Sequence, residues 1–232
     1  MPNSDQRKRL LLWDIDATLI TSAGAGDKAL KHIVLERWGV ADDFRDIEIA
    51  GRTDIHIVRQ ILRKYGVAPT DEHVRPFLDA YLHHLEQFLP QLNGRVLPGV
   101  AEILARLKPN PDRVLALLTG NLRRGAELKL RRYDLWDYFE FGAFADDHAD
   151  RNELGAFARA RAKEKHAADF AAAQIDVIGD TGHDIACGKI FGARTIAVAT
   201  GTWSRERLAE HNPDFLFDDL SDVERVVDTL GW

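Results

Sequence analysis

The chain has 232 residues, 45 % of them hydrophobic and 29 % charged, with a formal net charge of −6. That composition suits one large globular domain, or one domain carrying a small insertion. The acidic balance excludes a chain-wide basic field for nucleic acid, and no apolar run approaches the roughly 20 residues that span a bilayer.

The single cysteine, Cys187, leaves no internal disulfide and fits a reducing compartment. The polar start, Met1 to Lys8, has no apolar signal core. Together these read as a cytoplasmic chain with no membrane or nucleic-acid partner.

In chain order, Arg9–Ile15 is strand-like and runs straight into Asp14 and Asp16. From about residue 21 to 93 the pattern turns helical, with helices expected at Asp27–Trp38, Asp54–Tyr65 and Asp71–Leu89. Turn signals mark its two ends, Ser22 to Gly26 on one side and Leu92 to Gly94 on the other. Beyond it, strands are expected at Arg113–Leu118, Ile175–Ile178, Thr195–Ala199 and Phe215–Phe217, with a weaker pattern at Phe139–Phe144. Helices are expected between and after them at Val100–Leu107, Arg123–Tyr133, Asn152–His166, Asp184–Phe191, Arg205–His211 and Asp222–Leu230. The alternation predicts an α/β fold. Its core, residues 1–20 and 94–232, is a Rossmann-like parallel sheet with helices on both faces, and residues 21–93 form an inserted α-helical cap.

Ligands of open parallel sheets sit outside the carboxyl ends of the strands. Asp14 and Asp16 follow the first strand, Thr119-Gly120-Asn121 the second, Asp150-Arg151 the weak one, and Asp180 with Asp184 the next. Paired acids at the end of an apolar strand repel one another unless a cation joins them, and hard oxygen donors suit a divalent ion. Thr119-Gly120-Asn121 reads either as a helix-starting turn or as a hydroxyl and free amides for a phosphate oxygen. Asp150 and Glu153 fit a helix start, but that start does not explain Arg151, because the helix dipole disfavours a cation in the first turn. A guanidinium facing a phosphoryl group does.

Three lesser patterns are set aside. Residues Gly182 to Lys189 are one residue too long for a phosphate loop and place Ile190 where a hydroxyl belongs. Gly24-Ala25-Gly26 lacks the third glycine of a dinucleotide site. Cys187, among small residues in mid-helix, reads as a packed core thiol.

These motifs, in this order, resemble the haloacid dehalogenase superfamily over essentially the whole chain. Gly51-Arg52-Thr53-Asp54, Phe141 to Phe144 and Val198 to Gly201 make the chain similar to its phosphoglycolate phosphatase-like group. The resemblance implies magnesium-dependent hydrolysis of a small phosphorylated metabolite. It makes Asp14 the nucleophile and Asp16 the general acid and base. Asp14, Asp180 and the Asp16 carbonyl would hold Mg2+, with Asp184 in support. Thr119, Gly120, Asn121 and Arg151 would hold the phosphoryl oxygens, and Arg52 and Thr53 would reach down from the cap. Arg52 and Thr53 read equally as a surface charge and a helix N-cap.

Two departures stand out. Ala17 occupies a position that is glycine in the family, and Arg151 replaces a lysine, with Lys163 or Lys165 as fallback cations. A phosphomutase acting on a sugar phosphate could use the same acids, and a non-catalytic binding protein could share the fold. Dehalogenase chemistry does not need Asp16. A phosphonatase would want a cap lysine, and Lys64 reads as a solvated helix-end charge.

Overall fold

The computed structural model describes residues 8–232. The polar segment 1–7, on which the reading of the start rests, lies outside the described residues.

The first strand, β1 (Arg9–Trp13), is the axis of the molecule. Its residues Leu10 to Trp13 are all fully buried, as a strand covered on both faces must be. The chain next forms a short strand, β2 (Ile20–Thr21), and leaves the sheet for helices α1 (Ala25–Trp38), α2 (Asp54–Lys64) and α3 (Asp71–Phe88). It returns through β3 (Arg95–Val96), which pairs antiparallel with β2, Ile20 opposite Val96. Neither two-residue strand carries a readable alternation, and the sequence did not announce them.

The rest alternates as expected: α4 (Val100–Leu107), β4 (Arg113–Leu118), α5 (Arg123–Arg131), β5 (Gly142–Ala143), α6 (Leu154–His166), β6 (Ile175–Gly179), α7 (Gly182–Ile190), β7 (Arg194–Val198), α8 (Arg205–Glu210), β8 (Phe215–Phe217) and α9 (Val223–Leu230). The expected strand at Phe139–Phe144 shrinks to Gly142–Ala143. The three residues before Phe139 curl into a 3-10 turn, although Glu140 and Phe141 already bond β4 through their backbones.

Six strands make one parallel sheet in the order β5-β4-β1-β6-β7-β8. The chain builds outward from β1 on one side and then on the other, so β1 lies at the switch of direction, where such sheets open a crevice. Alternate strand residues face opposite layers. Leu11, Trp13, Leu115 and Leu117 meet α4, α5 and α9. Leu10, Leu12, Val114 and Ala116 meet Leu154, Ala158 and Ala162 of α6. Each leucine so buried contributes roughly 2 kcal/mol. Cys187 belongs to the second layer, and burial pushes its thiol up to about 12.

Helices α1 to α3 carry an apolar cluster of their own, centred on Ile33, Val58, Ile61, Phe77 and Leu85, which Leu122 and Ala145 join from the core. At the amino edge of the sheet, Asp176 is wholly buried between Arg9 and Arg194 and accepts from Trp232 Nε1 at 2.8 Å. Burial alone would raise its pKa. The two guanidiniums prevail and hold it below the usual carboxylate range.

Candidate active site

The carboxyl ends of β1, β4 and β6 lie side by side because those strands are neighbours. They bring Asp14, Asp16, Gly120, Asn121 and Asp180 to one cavity of about 460 Å3, closed from above by residues of the helical insertion. Arg151 enters it from the 3-10 turn Arg151–Glu153 that precedes α6. Asp150 caps that turn by accepting from Asn152 N at 3.0 Å, which leaves the arginine to point inward. The helix-start reading of Asp150 therefore holds, and it coexists with an arginine directed into the cavity.

Arg151 is buried and ties the acids together. One terminal nitrogen donates to Asp14 Oδ1 at 2.9 Å and also reaches Asp184 Oδ1, and the other donates to the Gly51 carbonyl at 3.1 Å. Asp184 is doubly committed, since its second oxygen accepts from Thr181 N at 3.0 Å and Thr181 Oγ1 at 2.6 Å. Burial, partly offset by Arg151 and reinforced by Asp184 and Asp16, raises the Asp14 carboxyl to about 6. Burial, then the charges of Asp184 and Asp14, push Asp180 well above its ordinary value.

One guanidinium thus faces more carboxylates than it can neutralise. Oxygen atoms of Asp14, Asp180 and Asp184 lie within 4.8 Å of one another. Among the described residues no donor reaches the Asp180 carboxylate. A buried, unpartnered acid beside a second one is costly without a counter-charge, and an all-oxygen donor set suits a hard divalent cation such as Mg2+. The residues fit the ion. Asp14 and Asp180 have oxygens to give, whereas both oxygens of Asp184 are already engaged by Arg151 and Thr181.

The turn after β1 explains how Asp14 and Asp16 share a site. Ala17 sits in the left-handed region with φ 57°, a conformation that costs a non-glycine residue about 1 kcal/mol. Its amide donates to the Ile20 carbonyl at 2.8 Å, and its own carbonyl accepts from Thr200 Oγ1. Gly201 beside it is required for space, because a Cβ there would collide with Asp180 Oδ2.

Other expected residues lie elsewhere or act differently. Thr119 is fully buried behind the cavity wall, where its hydroxyl accepts from Asn121 Nδ2 at 2.9 Å. Thr53 is not a cavity residue: its hydroxyl donates to the Ala149 carbonyl at 2.5 Å and caps α2 at His56 N. The N-cap expectation for Thr53 is therefore met, and the single donor of its hydroxyl, the group that could serve a phosphate oxygen, is engaged away from the cavity. Arg52 does line the cavity, but its guanidinium is held by Glu48 at 2.6 and 2.8 Å. Its backbone carbonyl presses on Gly120, where no side chain would fit. Lys163 and Lys165 pair with Asp169 and with the Glu140 carbonyl on the surface, away from the site.

The site also holds residues that sequence reasoning missed. Lys129 of α5 is buried and donates to Asp16 Oδ2 and to Asn121 Oδ1, both at 2.6 Å. The available signal was its place on the buried stripe of α5, beside Gly125, Ala126 and Leu130. Asp54 and Tyr81 line the same cavity from the insertion. Asp54 accepts from Leu122 N at 2.7 Å, and burial raises it to about 6 despite the nearby Lys129.

A family model described as HAD-hydrolase-like matches residues 153–223. A Dickeya dadantii protein named "Probable phosphatase IndB" is 36% identical over 220 residues, covering 93% of this chain and 92% of that protein. A phosphoglycolate phosphatase of Vibrio cholerae is 25% identical over 227 residues, covering 94% and 96%. Among solved structures, CbbY from Rhodobacter sphaeroides in complex with phosphate superimposes with a TM-score of 0.75 at 19% identity, covering 93% and 96%.

Proposed function

The chain belongs to the haloacid dehalogenase superfamily of phosphatases, and on that premise we propose that it hydrolyses a small phosphomonoester through a phosphorylated Asp14. The observation that carries the proposal is the convergence of Asp14, Asp16, Asp180 and Arg151 on one cavity at the sheet's switch point. No helix among the described residues is long and apolar enough to cross a membrane.

The residues divide the work as follows. Arg151 donates one hydrogen bond to Asp14 Oδ1, an oxygen with acceptor capacity left for a cation, and Oδ2 has no donor among the described residues. That oxygen attacks phosphorus while the bond to the leaving oxygen breaks. Asp16 donates a proton to the departing oxygen and later takes one from the water that attacks the aspartyl-phosphate. Inorganic phosphate leaves, and the Asp14 carboxylate is restored. Arg151, beside Asp14, offers charge to the transferring oxygens, in keeping with a reaction that chiefly needs positioning and neutralisation. Asp14, Asp180 and the Asp16 carbonyl would hold Mg2+, which supplies charge stabilisation to the phosphoryl group. Residues 21–93 act as a cap that contacts the leaving group and sets selectivity.

The test is chemical. With Mg2+ and p-nitrophenyl phosphate, Asp16→Asn should trap about one acid-stable, hydroxylamine-labile phosphate per chain, and Asp14→Asn none. Turnover by contamination-free Asp14→Asn, or full activity in excess chelator, would overturn the proposal. A phosphomutase would instead retain the phosphate on a sugar and release little of it to water.

A further inference from the structure

Lys129 is a buried cation at the edge of an acidic cavity, outside the set of groups that exchange protons or bonds with the phosphoryl group. It sits on the core helix α5, where burying a lysine is expensive unless its charge is paired. Here it is paired closely. Its ammonium donates to Asp16 Oδ2 and to Asn121 Oδ1, while Asn121 Nδ2 donates to the same Asp16 oxygen at 2.8 Å. The three side chains close a ring joining the turn after β1 to the turn after β4. Asn121 is fixed in turn by Thr119, whose hydroxyl accepts from both its amide nitrogens.

Asp16 needs such a hold. Its side chain is 42% exposed, more than the other acids of the site, and it sits next to the strained Ala17. Without Lys129 and Asn121 it could rotate toward solvent, away from the phosphorus. Asp54, carried on α2 of the insertion, faces the same ammonium, so Lys129 also offsets a second acid at the cavity wall.

We infer that Lys129 is a positioning residue for hydrolysis of the phosphorylated enzyme: with Asn121 it holds the Asp16 carboxylate where it takes a proton from the attacking water. The inference rests on the reading that Asp16 is the acid and base. The water's oxygen forms the new bond to phosphorus, its proton passes to Asp16, and the bond from phosphorus to Asp14 breaks. Lys129 keeps its own proton throughout and touches no reacting atom.

Pre-steady-state kinetics with p-nitrophenyl phosphate separate the two half-reactions, because this leaving group needs little protonation and forms the aspartyl-phosphate without help. Lys129→Met should retain a burst of about one nitrophenolate per chain and then turn over about 100-fold more slowly than wild type. Asp16→Asn should give the same signature. A merely structural role would lower burst and steady state together, and that outcome overturns the inference, as does unchanged turnover. Lys129→Gln is measured in parallel and judged by the same criteria if the Met variant fails to fold, its thermal midpoint confirming a native state. A burst in Asp16→Asn but not in the Lys129 variants overturns the inference alone. Absence of a burst in Asp16→Asn, with turnover by Asp14→Asn, overturns the proposed mechanism and the inference with it.

Discussion

Glu48 Oε1 and His183 Nε2 stand 2.9 Å apart, joining the helical insertion to α7 of the core directly beside Asp184. The other oxygen of Glu48 holds Arg52, so one exposed acid both ties the two units together and restrains a cation at the cavity rim. Glu48→Ala frees that cation. Surface pairs of this kind are worth a fraction of a kcal/mol to about 1 kcal/mol, so KM for a small phosphomonoester should fall a few-fold with kcat little changed. Arg52→Ala should raise KM roughly tenfold, the loss of one charge-assisted hydrogen bond. If Glu48→Ala raises KM as much as Arg52→Ala does, Glu48 instead holds Arg52 in its productive pose.

Asp14 makes the metal-free protein sensitive to pH. Its carboxyl titrates near 6 in the folded chain against 3.8 in its ordinary state, burial being the main cause. Between those values the folded state binds more protons than the unfolded one, so stability falls as pH rises. The gap corresponds to roughly 3 kcal/mol, reached above pH 6. In chelator, Asp14→Asn should therefore gain thermal stability relative to wild type as pH is raised from 4 to 7. Thermal melts at matched ionic strength check this, and Mg2+ should reduce the difference. A difference that stays constant across that range would refute the assignment.

Asp176 offers the opposite case, a buried acid with no part in the chemistry. Asp176→Asn leaves Arg9 and Arg194 competing for one amide, and breaking such a pair costs about 3 kcal/mol. Activity per folded molecule should not change, because the cluster lies at the amino edge of the sheet. Here the folded pKa is depressed, so the stabilisation is present at neutral pH and is lost as pH falls through the acid range. Urea unfolding at pH 7 and pH 3 measures both effects.

Gly201→Ala should drive Asp180 from its place, since the new methyl group meets its carboxylate. A displacement of about 1 Å in a catalytic group can cost about 100-fold. The Mg2+ concentration for half-maximal activity should rise, while the thermal midpoint of the metal-free protein moves little. Unchanged metal dependence would show that Asp180 is not a ligand.

Much of the site was legible because its signals are local. Leu10 to Trp13 running into Asp14 and Asp16 is visible without any partner, and so is Asp180 after the buried strand β6. Arg151 was readable as an anomaly, a cation where a helix start disfavours one. Lys129 was not, because a lysine on a helix is ordinarily solvated, and its partner Asp16 lies 113 residues away in sequence. Thr53 offered two readings, and only the Ala149 carbonyl, brought near by folding, shows where its hydroxyl donates. The strands β2 and β3 were hidden for a third reason: two residues cannot display a period of two.

That short pairing of β2 with β3 has an evolutionary corollary. The insertion departs and returns through residues that face each other, Thr21 opposite Arg95, so its two ends are roughly 5 Å apart. A different excursion could be grafted between the same two joints without moving β1 or β4. The entropy of closing it grows slowly, by about 0.6 kcal/mol for each doubling in length. Thr21 and Arg95 are thus the natural joints at which one excursion could be exchanged for another while the acids at the ends of β1 and β6 stay put.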